Sequence, residues 1–199
     1  VPPTQIAAVL ASITRDLTAR AAELALAAMR AAGEGEAPAR WCLLVLGSAG
    51  RGETLLVPDQ DNALIHEGAA GDAPWFERFG GHINRILDEA GVPYCKGGVM
   101  AREAAWRRSP AQWTAAVDGW IAKPRGEGLL DVDIFYDFVA VSGERALADA
   151  LRAHATRAAR HASMFLMMLA VGHVGAGAPL DLLGRFRTRD GRLDLKLHG

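Results

Sequence analysis

The chain has 199 residues, enough to bury a substantial core in one domain, with or without a helical appendage. Its 22 Lys and Arg residues almost balance 23 Asp and Glu residues, so we expect neither nucleic acid nor a membrane as a partner. The two cysteines, Cys42 and Cys95, form no Cys-x-x-Cys pair, which argues against a disulfide scaffold or a cysteine zinc site and favours the cytoplasm. No stretch has the apolar length of a membrane span. Both ends look cut, so we expect a piece of a longer protein.

The first third of the chain predicts a long helix followed by two strands. Over residues 5–32, apolar residues recur at the spacing of a helix: Ile6, Val9, Leu10, Ile13, Leu17, Leu24 and Met29. A segment with two glycines and a proline ends this helix. The continuous apolar run over residues 41–46 indicates a buried strand, and residues 63–65 indicate a second strand after a glycine-rich turn.

The later elements carry clearer boundary signals. Apolar periodicity predicts a helix over residues 74–89, which Gly91 ends. Ser109 followed by Pro110 is a typical helix start. Residues 130–141 are rich in Val, Ile, Phe and Tyr and predict a third strand, and the sequence after it predicts helices. The tryptophans that recur at sevenfold spacing are expected in the core: Trp106, Trp113 and Trp120.

Two aspartates just before the second strand are candidate metal ligands. Side chains two apart on an extended chain point the same way, so Asp59 and Asp61 present two carboxylates to one point. Carboxylate oxygens are the ligands that hard cations prefer. With a third carboxylate, such a pair can hold one or two Mg²⁺ ions, the arrangement used in phosphoryl and nucleotidyl transfer.

The turn before this pair is a candidate phosphate site. Gly47 and Ser48 would let backbone N–H groups and a hydroxyl approach phosphate oxygens without a Cβ in the way. The turn does not match two other glycine motifs that bind phosphate. Glu53 stands where a P-loop needs lysine, and Ala49 stands where a dinucleotide-binding motif needs glycine. Taken separately, a Gly-rich turn is often only a corner and an Asp-x-Asp only a solvated turn. Their succession on neighbouring strands favours one joint site.

Two further residues complete the predicted site. Asp131, Asp133 and Asp137 are the candidates for a third carboxylate, and we favour Asp137 because it lies among apolar residues, where a charge needs a metal or a basic partner. A structural pairing of Asp137 with an arginine is the alternative. Arg51 lies inside the turn and could contact the triphosphate or form a salt bridge with Glu53 or Asp61.

These segments resemble a family of bacterial nucleotidyltransferases that is found fused to CBS and cyclic-nucleotide-binding domains and is similar to the PII-protein uridylyltransferases of the polymerase-beta-like superfamily. The resemblance runs through nearly the whole chain, on the segments 46–53, 58–65, 92–95, 97–100, 120–121, 134–138 and 193–196. It implies that Gly47 and Ser48 bind triphosphate and that Asp59, Asp61 and Asp137 bind Mg²⁺. It also implies that Asp137 deprotonates the attacking hydroxyl.

The resulting expectation is an α/β nucleotidyltransferase fold, with a small mixed sheet flanked by helices and a helical region after it. Residues 1–40 would be an N-terminal helix and linker, 41–142 the nucleotidyltransferase domain and 143–199 a helical substrate-binding region. The resemblance implies a nucleoside triphosphate substrate, a protein acceptor and a role in bacterial signalling, with CBS or cyclic-nucleotide-binding domains in the full-length chain. The family tends to have arginine where this chain has Val139. A nucleotide-binding sensor or interaction module is therefore the alternative function.

Overall fold

The protein is an α/β structure in which helices flank a small sheet. The computed structural model describes residues 1–54, 58–123 and 132–174. The helices are α1 (Pro3–Ala31), α2 (Gly47–Arg51), α3 (Ala73–Glu89), α4 (Pro110–Ala122), α5 (Arg145–Arg160) and α6 (Ser163–Val174). The strands are β1 (Trp41–Val45), β2 (Asn62–His66), β3 (Arg107–Arg108) and β4 (Val139–Gly143). Within the described residues, the structure contains no helix with the length and apolar character needed to cross a membrane.

The sheet is mixed and has the strand order β3-β2-β1-β4, which confirms the predicted fold class. β1 pairs antiparallel with β2 and with β4, and β2 pairs parallel with β3. In this register Val45, the last residue of β1, lies opposite both Asn62 and Val139, the first residues of β2 and β4. The segments that lead into β2 and β4 therefore meet at the point where β1 ends, and this is where the predicted site residues lie.

The two faces of the sheet bury different side chains. Leu43 of β1 and Leu64 of β2 face α1 and α3, where the core contains Phe76 and Phe79. The alternate residues, such as Leu44, face the other way and pack with residues of α4 and α5: Trp113, Val117, Leu147 and Leu151. Because consecutive strand residues point to opposite faces, the continuous apolar run of β1 fills both layers.

The long N-terminal helix is confirmed, but it buries a different face from the one that its large apolar residues indicate. The buried positions of α1 are mostly small: Ala11, Thr14, Thr18, Ala21, Ala22, Ala25 and Met29. The exposed positions include most of the predicted stripe: Ile6, Val9, Ile13, Leu17 and Leu24. Large side chains of α3, such as Phe76 and Phe79, occupy the interface, so small residues on α1 allow the two helices to pack closely.

The sequence signals for the start of α4 and the end of α3 were correct. Ser109 is the N-cap of α4; its hydroxyl accepts the Gln112 N–H, and the Gln112 side chain accepts the Ser109 N–H. Gly91 follows α3 with a positive φ of 91°, and the Val92 N–H donates to the Leu87 carbonyl, as in a Schellman ending. The tryptophan prediction is confirmed too, since Trp106 and Trp113 are buried and Trp120 packs against them.

The predicted third strand over residues 130–141 was wrong in its first half. Residues 132–135 are helical, Tyr136 and Asp137 form a turn, and β4 begins only at Val139. Asp137 therefore lies in a turn before β4 and not within a strand. The buried residues Val132, Phe135 and Phe138 recur every third position, which suits a helical turn and not a strand. Asp131 and the segment 193–196 lie outside the described residues.

The sequence after Gly143 is helical over its described part, as expected. α5 packs on the sheet and on α4 through its buried residues Leu147, Ala148, Leu151 and Ala155. α6 adds Phe165, which packs with Val132 and Ala159. The helix α5 thus shares the core of the sheet domain.

Candidate active site

The predicted phosphate turn is the short helix α2, which starts directly after β1. Gly47 has a positive φ of 56°, and Gly52 closes the helix at a φ of 82°. Both values are unfavourable for residues with a Cβ. The Ser48 carbonyl accepts the N–H groups of Gly52 and Glu53 and so closes the turn. The glycines thus permit a compact reversal between the end of β1 and the acidic segment.

Asp61, one of the two predicted metal ligands before β2, lies against this turn. A Cβ built on Gly47 would lie 2.8 Å from Asp61 Oδ2, closer than real Cβ contacts come. The Asp61 carbonyl also accepts the Leu46 N–H at 2.9 Å, which extends the pairing of β1 with β2 by one residue. Gly47 is therefore needed both for its backbone conformation and for the approach of the Asp61 carboxylate.

Asp59 and Asp61 lie together, as their spacing predicts, and a cysteine joins them. Ligand atoms of Asp59, Asp61 and Cys95 all lie within 4.8 Å of one another, and all three residues are half-buried. Burial raises the pKa of the Cys95 thiol, and the adjacent Asp61 carboxylate adds to this effect. Two carboxylates and a sulfur within this distance are a donor set that suits a divalent cation. Sequence spacing did not indicate Cys95 as a ligand, because it is distant in sequence from Asp59 and Asp61.

A buried polar network fixes the backbone of the acidic segment. Asn84 of α3 is fully buried, and its amide nitrogen donates to Gln60 Oε1 at 2.8 Å and to Asn62 Oδ1 at 2.9 Å. The Gln60 side chain in turn donates to the carbonyls of Asn84 and Val92. Residues 60 and 62 thus face α3, and because side chains alternate along an extended chain, residues 59 and 61 face the site.

The third predicted carboxylate lies on the other side of α2. A Cβ built on Gly50 would lie 2.1 Å from the Asp137 carbonyl oxygen, so only glycine allows this contact. The Asp137 carboxylate forms an ion pair with Arg51, which also pairs with Glu53 at 3.0 Å. Burial opposes the charge of Arg51, but the hydrogen bonds that Arg51 donates to the carboxylates of Asp137 and Glu53 raise its pKa overall. The salt bridge predicted for Arg51 with Glu53 thus exists, and its second partner is Asp137.

Two arginines that the sequence analysis did not single out support the site. Arg15 of α1 donates to the carbonyls of Ala49 and Gly50, both at 2.8 Å. These carbonyls end α2, where a short helix leaves acceptors unsatisfied. Arg152 of α5 donates to the Tyr136 and Phe138 carbonyls on either side of Asp137, and its guanidinium lies over the Phe138 ring. Nothing in their local sequence marks either arginine.

The structure brings the predicted residues to one end of the sheet, in two groups around α2. Asp59 and Asp61 lie at the Gly47 side, with Ser48 next in the turn, while Asp137 and Arg51 lie at the Gly50 side. Among the described residues, the ligand atoms that lie within 4.8 Å of one another belong to Asp59, Asp61 and Cys95. Asp137 is not part of this group.

Comparison with known proteins identifies the family of the chain. No curated protein matches the chain. Residues 1–127 match the family described as "Putative nucleotidyltransferase DUF294". The matched range includes α2, the two aspartates before β2 and Cys95, and it ends before Asp137. Since it covers more than half of the 199 residues, the chain belongs to this nucleotidyltransferase family.

Proposed function

We propose that the protein transfers a nucleoside monophosphate from a nucleoside triphosphate to an acceptor hydroxyl and releases pyrophosphate. The observation that carries this proposal is the contact between the phosphate turn and the acidic pair, where the Asp61 carboxylate lies against Gly47. Phosphate oxygens and a divalent cation are bound side by side in enzymes of this reaction class. One end of β1 provides a place for both.

The triphosphate is expected at the start of α2, where glycine lets it approach the backbone. Gly47 and Ser48 would contact it through backbone N–H groups and the Ser48 hydroxyl. Arg51 would contribute a bidentate guanidinium, which is the side chain best matched to phosphate oxygens. Because Arg51 pairs with both Glu53 and Asp137, it can turn towards the triphosphate while Glu53 still holds it.

The donor atoms of Asp59 and Asp61 fit a divalent cation, and Mg²⁺ is the one that we propose, in one or two sites. When bound, such a cation neutralises charge that develops on the phosphate oxygens. The contribution of this chain is to hold the carboxylates in place. The network of Gln60, Asn62 and Asn84 fixes their backbone before any ligand arrives.

In the proposed reaction, the acceptor oxygen forms a bond to the α-phosphorus, and the bond between that phosphorus and the bridging oxygen to the β-phosphate breaks. Pyrophosphate leaves with the electron pair. The hydroxyl proton passes to Asp137, whose carboxylate must first be released from its ion pair with Arg51. Arg51 thus links triphosphate binding to the availability of the base.

We propose a protein as the acceptor, with a tyrosine hydroxyl as the reacting group, in a bacterial signalling chain. The support is the resemblance to the uridylyltransferases that modify PII proteins. The same resemblance supports CBS or cyclic-nucleotide-binding domains as partners in the full-length protein. It leaves ATP and UTP as the two donors to be tested.

The direct test is transfer of label from α-labelled ATP or UTP to a bacterial lysate, with Mg²⁺ and with pyrophosphate release as a second readout. Asp61→Asn should reduce transfer by roughly a thousandfold, because a carboxylate that stabilises the transition state is lost. Asp88→Asn removes an exposed carboxylate of α3 and is the matched control. Equal transfer by wild type and Asp61→Asn would refute the proposed site.

A second candidate function is nucleotide sensing without transfer. The observation that favours it is the ion pair of Asp137 with Arg51, because Asp137 is the proposed base and its carboxylate is engaged in this pair. A sensor would bind ATP or UTP with Mg²⁺ and release no pyrophosphate with any acceptor. Binding measured by calorimetry beside the label assay separates the two functions.

A further inference from the structure

A cavity of about 690 Å³ lies at the opposite end of β2 from the acidic pair. Its volume is typical of small-molecule sites. His66, the last residue of β2, lines it, whereas Asp61 precedes the first residue of the same strand. The cavity is therefore separate from the candidate active site and has no part in the proposed transfer.

The polar side chains that line this cavity are suited to bind negative charge. They are His66, Arg107, Arg108, Ser109 and Gln112, and among the residues that the structure describes no Asp or Glu lies in the lining. Ser109 and Gln112 form the capping box of α4 through the Ser109 oxygen, the Gln112 carbonyl oxygen and backbone N–H groups. The hydroxyl hydrogen of Ser109 and the side-chain NH₂ of Gln112 are used by neither of these two bonds.

Arg107 brings a half-buried positive charge to the cavity. Its guanidinium donates to the carbonyls of Ala101 and Arg102, and it forms no ion pair within the part of the chain that the structure describes. Burial lowers its pKa, and the charges of Glu77 and Glu103 counter this effect only in part. A half-buried cation without an adjacent counter-ion is stabilised by an anionic ligand.

His66 supplies a second, independent sign of a missing partner. The residue is 7% exposed, its ring stacks on Phe76, and its Nδ1 has no hydrogen-bond partner among the described residues. Buried polar atoms in native proteins are nearly always satisfied by protein, water or ligand. The charge of Asp72 acts on this ring, but the Asp72 carboxylate already accepts the Ala69 N–H.

We propose that this cavity binds a small oxyanion, in which a phosphate or carboxylate group contacts Arg107 and Arg108. Such a site would let a metabolite bind to the protein at a distance from the acidic pair. Orthophosphate and succinate are the probes, with chloride at equal ionic strength as the reference. The measurements are calorimetric affinity and the shift in melting temperature, made after a chelating resin has removed divalent cations, so that none brings phosphate to Asp59 and Asp61 and no soluble carboxylate chelator competes for the cavity.

The decisive variants are Ala105→Glu and Ala105→Gln. Ala105 is an exposed residue of the cavity lining, and the two replacements have nearly the same size but differ in charge. We expect Ala105→Glu to weaken oxyanion binding by about tenfold or more relative to Ala105→Gln. Arg107→Gln should weaken it similarly, although this arginine also supports two carbonyls. Arg145→Gln, an exposed arginine of α5, should leave the affinity unchanged.

The relative response to the two probes identifies the ligand group. A preference for orthophosphate indicates a phosphate ester, and a preference for succinate indicates a carboxylate. The inference is wrong if neither probe binds at millimolar concentration. It is also wrong if each probe has the same affinity for Ala105→Glu as for Ala105→Gln. The catalytic assay plays no part in this test, so its failure and that of the proposed function are distinguishable.

Discussion

Gly47 and Asp61 approach so closely that a Cβ at position 47 would lie 2.8 Å from the Asp61 carboxylate oxygen. The contact joins the end of β1 to the start of β2 and makes the turn and the metal ligand interdependent. A side chain at position 47 would therefore displace the Asp61 carboxylate.

We therefore expect Gly47→Ala to disturb both stability and binding. The added methyl group meets the carboxylate, and a φ of 56° costs a residue with a Cβ about 1–2 kcal/mol. Urea denaturation should show this loss, and Mg²⁺-dependent ATP or UTP binding should weaken. Gly81→Ala is the control, because Gly81 lies in α3 with nothing within 4 Å of an added Cβ. Unchanged nucleotide affinity in a folded Gly47→Ala protein would count against the phosphate role of the turn.

Replacing Asn84 should destabilise the fold and loosen the acidic segment. Asn84→Ala removes the donor to Gln60 and Asn62 and the acceptor for the Arg102 N–H. Leaving such buried groups without partners costs roughly 2–4 kcal/mol. The free energy of unfolding should fall by this amount, whereas Asp88→Ala on the exposed side of α3 should change it little. A loss below about 0.5 kcal/mol would mean that water replaces the network.

Cys95 should influence which metal binds. A thiolate is a softer ligand than a carboxylate and favours Zn²⁺ or Cd²⁺ over Mg²⁺. Cys95→Ser is therefore expected to weaken Cd²⁺ binding by tenfold or more, on the order of one ligand's contribution, while Mg²⁺ binding changes little. The control is Cys42→Ser, which replaces the buried cysteine of β1, away from the acidic pair. Titration of Cd²⁺ followed by charge-transfer absorbance checks this, and identical curves for wild type and Cys95→Ser would exclude the sulfur as a ligand.

Arg15 should affect nucleotide binding although it lies in the N-terminal helix. Its guanidinium holds the carbonyls of Ala49 and Gly50, so Arg15→Gln should loosen α2 and weaken ATP or UTP binding by about tenfold. Arg20→Gln removes an exposed arginine of the same helix, which pairs with the exposed Glu23, and should have almost no effect. Equal affinities for the two variants would show that α1 does not support the turn.

The sequence predicted the parts of the site that depend on local spacing. The same-side placement of Asp59 and Asp61 follows from the period of an extended chain, and the turn at Gly47 follows from its glycines. Cys95 and Arg15 could not be predicted, because only tertiary contacts bring them to the site. They lie more than 30 residues from the groups that they approach.

The wrong predictions for the fold share a physical cause. Residues 132–138 have strand-forming side chains, yet packing selects a helical turn that buries Val132, Phe135 and Phe138 together. In α1, packing against the large residues of α3 selects the alanine face and leaves residues such as Leu17 exposed. Tertiary packing overrode the local preference in both places.

The pairing of Arg51 with Asp137 gives the sharpest test of the proposed mechanism. If Arg51 moves to the triphosphate, Arg51→Gln should weaken ATP or UTP binding by roughly tenfold or more, since a charge-assisted contact is lost. Glu53→Gln breaks the other ion pair of Arg51 at an exposed carboxylate and should change binding little. Asp137→Asn should leave nucleotide binding at least as strong, because it also frees Arg51 from an ion pair, and should abolish label transfer, because the proton acceptor is removed. Calorimetry and the transfer assay on these three variants separate the roles. An Arg51→Gln protein with normal affinity but slow transfer would mean that Arg51 acts only by positioning Asp137.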